Sequence, residues 1–124
     1  MDESFPRDDW DLNENALFRA LADDTTRTIL SRTSDQPRSA NELADHVDVS
    51  LSTIYRRLEQ LEGDGLIDER LRVDMSGDHH KMYQATITHV GVDIDGDGVR
   101  THVEPNEDVA ERFARIWERI RGDR

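Results

Sequence analysis

Ser39-Ala40-Asn41-Glu42-Leu43-Ala44-Asp45-His46-Val47-Asp48-Val49-Ser50-Leu51-Ser52-Thr53-Ile54-Tyr55-Arg56-Arg57-Leu58-Glu59-Gln60-Leu61-Glu62-Gly63-Asp64-Gly65-Leu66-Ile67 is the stretch that decides the fold. Its start, S-x-x-E, is a capping box, in which each side chain satisfies a free backbone N–H at the start of the turn. This opens a short helix holding Leu43, Ala44 and Val47. Asp48-Val49-Ser50 is a tight break, and a second helix follows from Leu51 to Glu62. Ile54, Leu58 and Leu61 are spaced by four and three, so one face of that helix enters a core. Gly63-Asp64-Gly65 stops it, because glycine accepts the left-handed conformation that closes helices.

Upstream, a helix is expected from Asp11 or Asn13 to about Ala22, with Leu17, Phe18 and Leu21 on its apolar face. Asp24-Thr25-Thr26 offers N-cap chemistry for another, Thr25 to about Arg32, burying Ile29 and Leu30. Ser34-Asp35-Gln36-Pro37 reads as a loop. Downstream, Leu66 to Met75 reads as a strand, Ser76 to His80 as a turn, and Lys81 to Thr86 as the partner strand. A second hairpin follows: Val90, Val92 and Ile94 alternate with other residues, Gly96-Asp97-Gly98 turns, and Val99 to Val103 returns. Pro105-Asn106 introduces a last helix, about Glu107 to Arg121, striped by Val109, Phe113, Ile116, Trp117 and Ile120.

Two short helices across a three-residue turn, then a β-hairpin, is the order of a winged helix. The fold class read from the sequence is therefore α+β: a winged helix-turn-helix with a hairpin wing, a second hairpin and a C-terminal dimerisation helix. Its divisions are an acidic, flexible lead-in at 1–12, the winged domain at 13–87, a hairpin extension at 88–104 and the terminal helix at 105–124. Leu21-Ala22-Asp23-Asp24-Thr25-Thr26-Arg27-Thr28-Ile29-Leu30 resembles the "L-A-D-x-T-R-x-x-I-L" signature of ArsR-type regulators. The stretch from Ser39 to Ile67 is similar to that family's helix-turn-helix, and the likeness spans roughly residues 17 to 83. The resemblance implies double-stranded DNA as partner and a homodimer formed through the first and last helices, with Leu17, Phe113, Ile116, Trp117 and Ile120 at the interface. A two-fold dimer matches palindromic half-sites.

The residues agree with that implication. With Ile54, Leu58 and Leu61 inward, the helix turns Ser52, Thr53, Tyr55, Arg56 and Gln60 outward, and Ser50 begins it. Hydroxyls and amides bond base edges or phosphates, and arginine grips guanine through two bonds. Arg57 is assigned to phosphate or to the side of the wing. In the hairpin, Arg70, Arg72, His79, His80 and Lys81 are candidates for the backbone or the adjacent minor groove, diluted by Asp68, Glu69, Asp74 and Asp78.

The net charge of −12 over 124 residues is unusual for a DNA-binding chain. Lys81 is the only lysine among 16 basic residues. Such an Asp-rich, Arg-over-Lys composition resembles that of proteins from halophilic archaea, where concentrated salt screens the repulsion between acidic protein and DNA. From Val49 to Leu61 two arginines face only Glu59, whereas Met1 to Glu14 sets one arginine against six acids. The least acidic surface is the one that the fold would press on DNA.

Other chemistry is thin. No cysteine is present, which excludes disulfides and thiolate metal sites. Asp93, Asp95, Asp97 and Glu104 fit the calcium-loop spacing D-x-D-x-D-G-x5-E, but their flanks alternate like strands and Arg100 occupies a position that is normally apolar. A plain Asp-Gly hairpin turn is the preferred reading, with a calcium- or metal-responsive switch as an alternative. His79 and His80 with His89 or His102 give no recognised ligand pattern. No catalytic motif is visible, so an enzyme is not expected and no cofactor is assigned. A winged helix used as a protein-interaction module of the transcription machinery is the rival function. No apolar run is long enough to span a bilayer and no signal peptide begins the chain, so a cytoplasmic location and no membrane partner are expected.

Overall fold

Asn13 begins the part of the chain that the computed structural model describes, residues 13–107 and 109. The lead-in at 1–12 and most of the expected terminal helix, with Phe113, Ile116, Trp117 and Ile120, lie outside the described residues.

Helix α1 (Glu14–Ala22) starts where the Asn13 side chain accepts from the Ala16 amide at 3.0 Å, and it buries Ala16, Leu17 and Ala20. Helix α2 (Asp24–Ser34) starts one residue earlier than expected. Its cap is Asp23, whose carboxylate accepts from the Thr26 amide at 2.9 Å and the Thr26 hydroxyl at 2.8 Å. One extended residue thus closes α1 and opens α2. The helix also runs two residues past Arg32, because Thr33 is fully buried and returns its hydroxyl to the Ile29 carbonyl at 2.8 Å. Phe18, expected inside, is 37% exposed, while Leu17 takes the core position.

Helix α3 (Ala40–Ala44) has the expected capping box: Ser39 Oγ accepts from the Glu42 amide and Glu42 Oε1 accepts from the Ser39 amide. Helix α4 (Leu51–Gly63) is capped by Ser50 and buries Ile54, Leu58 and Leu61. It closes on Gly65, whose φ of 79° lets the Leu66 amide reach back to the Leu61 carbonyl at 2.9 Å. Ile29, Leu43, Ile54, Leu58 and Leu66 are the fully buried centre, each contributing about 1.5–3 kcal/mol by leaving water.

Strand β1 (Ile67–Val73) pairs antiparallel with β2 (His79–Ala85). The wing turn is Asp74–Asp78, two residues earlier than expected, so His79 and His80 belong to the strand. The cause is Asp74, whose Oδ1 accepts from the Ser76 amide and hydroxyl and from the Asp78 amide, while Gly77 supplies a φ of 90°. Arg38, read as lying just past a loop, bridges Tyr83 through two backbone bonds of 2.8–2.9 Å and adds a short third edge to the wing.

Strands β3 (Ile87–Asp95) and β4 (Gly98–Pro105) form the expected second hairpin as a separate two-stranded sheet. Its base joins the main core through Ile87 and Val103, with Val109 beside them. Asn106 fastens that base, its amide donating to the Ser34 and Ala85 carbonyls at 3.0 Å each. Glu14 fastens the middle: its Oε2 accepts from both the amide and the hydroxyl of Thr101 at 2.8 Å. The architecture is an α+β winged helix-turn-helix, with the second hairpin held against α1.

Candidate nucleic-acid interface

Ser50 does two jobs at the start of α4. Its hydroxyl oxygen accepts from the Thr53 amide at 3.2 Å, which caps the helix, and its hydroxyl lies 3.2 Å from that of Ser52 and 3.0 Å from that of Thr53. Arg56 lies one turn on and donates to Thr53 Oγ1 at 3.4 Å. Ser50, Ser52, Tyr55 and Arg56 are all exposed, opposite the buried Ile54–Leu58–Leu61 stripe. This end of the helix therefore offers hydroxyls, free amides of a first turn and one guanidinium to the same side. Anionic phosphate suits such a terminus, and base edges suit the side chains beyond it.

Arg57 does not join that surface: it lines a cleft of about 400 Å³ with Ala16, Arg19 and Ala20 of α1, whose rim exposed Gln60 also reaches. Arg57 donates to Asp23 Oδ1 at 3.3 Å, so it ties α4 to the junction of α1 and α2. The reason is helical position: residue 57 lies three after Ile54 and four before Leu61, which sets it on the flank of the buried stripe.

The wing divides its basic residues. Directly paired residues in an antiparallel ladder share a face. The pairs Arg70–Met82 and Arg72–His80 therefore lie on one face, and Leu71–Lys81 and Val73–His79 on the other. Arg70 points into the domain, where its guanidinium bonds the fully buried Gln84. Lys81 faces α4, paired with Glu69 at 3.7 Å in a cleft that Tyr55, Glu59, Glu62 and Tyr83 also line. His80 is held by Asp74 at 3.0 Å, and that bond, with the Ser76 hydroxyl foremost, keeps the Asp74 carboxyl well below the usual carboxylate range. Arg72 and His79 remain exposed on opposite faces near the tip. The expected basic wing face is in fact a mixed one, with exposed Leu71, Val73 and Met75 among its charges.

These features coincide with the relationships of the chain. The helix-turn-helix domain family matches residues 21–70, from the end of α1 into β1. None of the curated proteins matches the chain. Among solved structures, an ArsR family transcriptional regulator is similar at 30% identity, the match covering 57% of this chain and 72% of that one, with a TM-score of 0.49. An ArsR-like transcriptional regulator from Rhodococcus sp. RHA1 is similar at 25% identity, covering 88% of this chain and 77% of that one, with a TM-score of 0.46. The chain carries a helix-turn-helix domain, and these regulators are what it is similar to. It is thus a DNA-binding helix-turn-helix regulator in class, and no described helix is long and apolar enough to cross a membrane.

Two further expectations for this helix-turn-helix chain fall on described residues. Leu17, placed at a dimer interface, is 2% exposed inside its own domain, so Phe18 is the residue that α1 offers outward. The calcium-loop spacing does not become a calcium loop. Asp95 and Gly98 close a tight hairpin turn in which Asp95 pairs with Arg100 at 2.6 Å, and Glu104 stands opposite His89 at the far end of the strands. Six residues of strand separate Glu104 from Gly98, about 20 Å of rise, so the four carboxylates cannot converge. Among the described residues no three His, Cys, Asp or Glu side chains are grouped to hold a metal.

Sequence reasoning missed one cluster. Glu62 of α4 and Glu69 of β1 meet in the cleft beside Tyr83, and partial burial, then the Glu69 charge, pushes the Glu62 carboxyl up. The same surroundings push the Tyr83 hydroxyl up to about 12, burial acting first. The residues are seven apart in sequence, on different elements, and no periodic signal links them.

Proposed function

We propose that this regulator binds a specific, palindromic DNA site as a homodimer, with α4 in the major groove. The observation that supports it is the exposed start of α4, where Ser50, Ser52, Thr53, Tyr55 and Arg56 stand together opposite a fully buried stripe. In this reading Arg56 grips a guanine edge, the hydroxyls and the first-turn amides take phosphate, and Arg72 and His79 follow the backbone at the wing. Arg57 holds α4 at its angle through Asp23. Copies join through the terminal segment, whose Phe113, Ile116, Trp117 and Ile120 recur at helical spacing, with Phe18 as the contribution of α1.

The −12 charge fits a cell of concentrated salt, as in a halophilic archaeon, and a cytoplasmic protein. Counterion release weakens steeply with salt, so affinity there leans on base hydrogen bonds and shape. Chromatin immunoprecipitation with sequencing, on tagged protein in a halophilic host, tests the proposal. Sharp promoter peaks that share a palindrome and vanish with Arg56→Ala are expected. A flat profile from a folded dimer would replace this reading with a protein-interaction module.

A further inference from the structure

Among the described residues strand β3 has one neighbouring strand, and no strand pairs with its outer edge, whose start lines a cleft with Leu30 and Ser34 of α2. Which residues face that edge follows from Glu14. Because the Thr101 amide donates to Glu14 rather than across the hairpin, Thr101 turns its backbone outward on β4. Its partner Val92 therefore turns outward on β3, and so do Val90 and Ile94, two residues to either side. The β4 edge is blocked by α1 at Thr101, whereas no such clamp holds the β3 edge among the described residues.

The same residues are apolar: Val90 packs against the core, whereas Val92 and Ile94 are exposed. Val90, Val92 and Ile94 share one face of the hairpin with Val99, Thr101 and Val103. Toward the base that face is buried, but Val92 is 45%, Val99 51% and Ile94 77% exposed. An open edge carrying exposed apolar residues is a template for another strand.

We propose that β3 pairs antiparallel with β3 of a second copy about a two-fold axis through Val92, making a four-stranded sheet. This contact rests on the homodimer reading, since five or so residues a side are too few for a free-standing interface. The register commends the second copy as occupant. An axis at Val92 sets Val90 against Ile94 of the other copy, outward residue to outward residue, so the ladder bonds form in register. On the opposite face it sets His89 against Asp95 and Gly91 against Asp93, each twice. The imidazole then meets the Asp95 carboxylate, which Arg100 also holds, and the Asp93 side chain meets Gly91, over which the His102 ring lies.

A chain with no cysteine makes the test direct. Val92→Cys places two thiols on the axis, where paired Cα atoms lie about 5.5 Å apart, within disulfide range. Val99→Cys is about as exposed but lies three strand spacings across and four residues along from its copy, about 20 Å. Both variants of the full chain would be oxidised gently in concentrated salt, which screens the mutual repulsion of two acidic copies. Their mass would be read in parallel, under reductant, by sedimentation. A disulfide dimer forming at least tenfold faster for Val92→Cys than for Val99→Cys is the expected result. Equal rates in a reduced protein that sediments as a dimer would overturn the pairing and leave the homodimer standing. A monomeric reduced protein would overturn both.

Discussion

Removing the Asp23 carboxylate should loosen the domain at the point where three helices meet. In Asp23→Ala, α2 loses its N-cap, which costs about 1 kcal/mol. Arg57 loses its ion pair, worth about 0.5 kcal/mol after screening, since both side chains are about one third exposed. The sum, about 1.5 kcal/mol, lowers the melting temperature by roughly 6–12 °C for a domain of this size. Asp23→Asn keeps an oxygen that accepts from the Thr26 amide, so it should lose only the Arg57 part, roughly 2–4 °C. Thermal unfolding of the two variants by circular dichroism compares them. The wild-type advantage over Asp23→Asn also depends on pH. Hydrogen bonds from the Thr26 hydroxyl and amide, then the Arg57 charge, hold the Asp23 carboxyl below its ordinary value. Its contribution is therefore complete above the usual aspartate range, about pH 4, and fades as pH falls through the lowered value. An Asp23→Ala protein as stable as wild type, or an Asp23→Asn protein as unstable as Asp23→Ala, would refute this account of the junction.

Two other perturbations read different parts of the molecule. Glu62→Gln should stabilise the protein at pH 7 by about 0.5 kcal/mol, because the raised Glu62 carboxyl favours the protonated form and its stability is lost as pH climbs above the ordinary glutamate value. Urea unfolding at pH 4 and pH 7 checks it, the gain vanishing at the lower pH. Ile54→Ala, which empties a fully buried position beneath the exposed face of α4, should cost about 3 kcal/mol by chemical denaturation while leaving every proposed DNA-contacting side chain in place.

Much of this fold was legible because its signals are local. The Ser39–Glu42 capping box, the Ile54–Leu58–Leu61 stripe and the Asp-Gly turn of the second hairpin each declare themselves within a dozen residues. The errors arise where two neighbours compete for one role. Asp23 and Asp24 are both good caps, and only the extended backbone of Asp23 decides between them. Leu17 and Phe18 are both apolar, and one residue of helical rotation decides which is buried. In the wing, Asp74 pulled the turn forward by two residues, which moved His79 and His80 onto a strand. The wing's basic residues take partners distant in sequence, Gln84 for Arg70 and Glu69 for the still exposed Lys81, which no local signal announces.

Binding of a DNA site selected from a random pool, followed by fluorescence anisotropy, tests the central claim most directly when wild type, Arg56→Ala and Arg57→Ala are compared under one fixed salt concentration. We expect Arg56→Ala to lose about 1–3 kcal/mol, roughly 5- to 150-fold, with discrimination relaxed at one base pair. Arg57→Ala should lose stability but bind the site with unchanged base preference. Equal binding by wild type and Arg56→Ala, or relaxed base preference in Arg57→Ala alone, would contradict the placement of the exposed face of α4 against DNA.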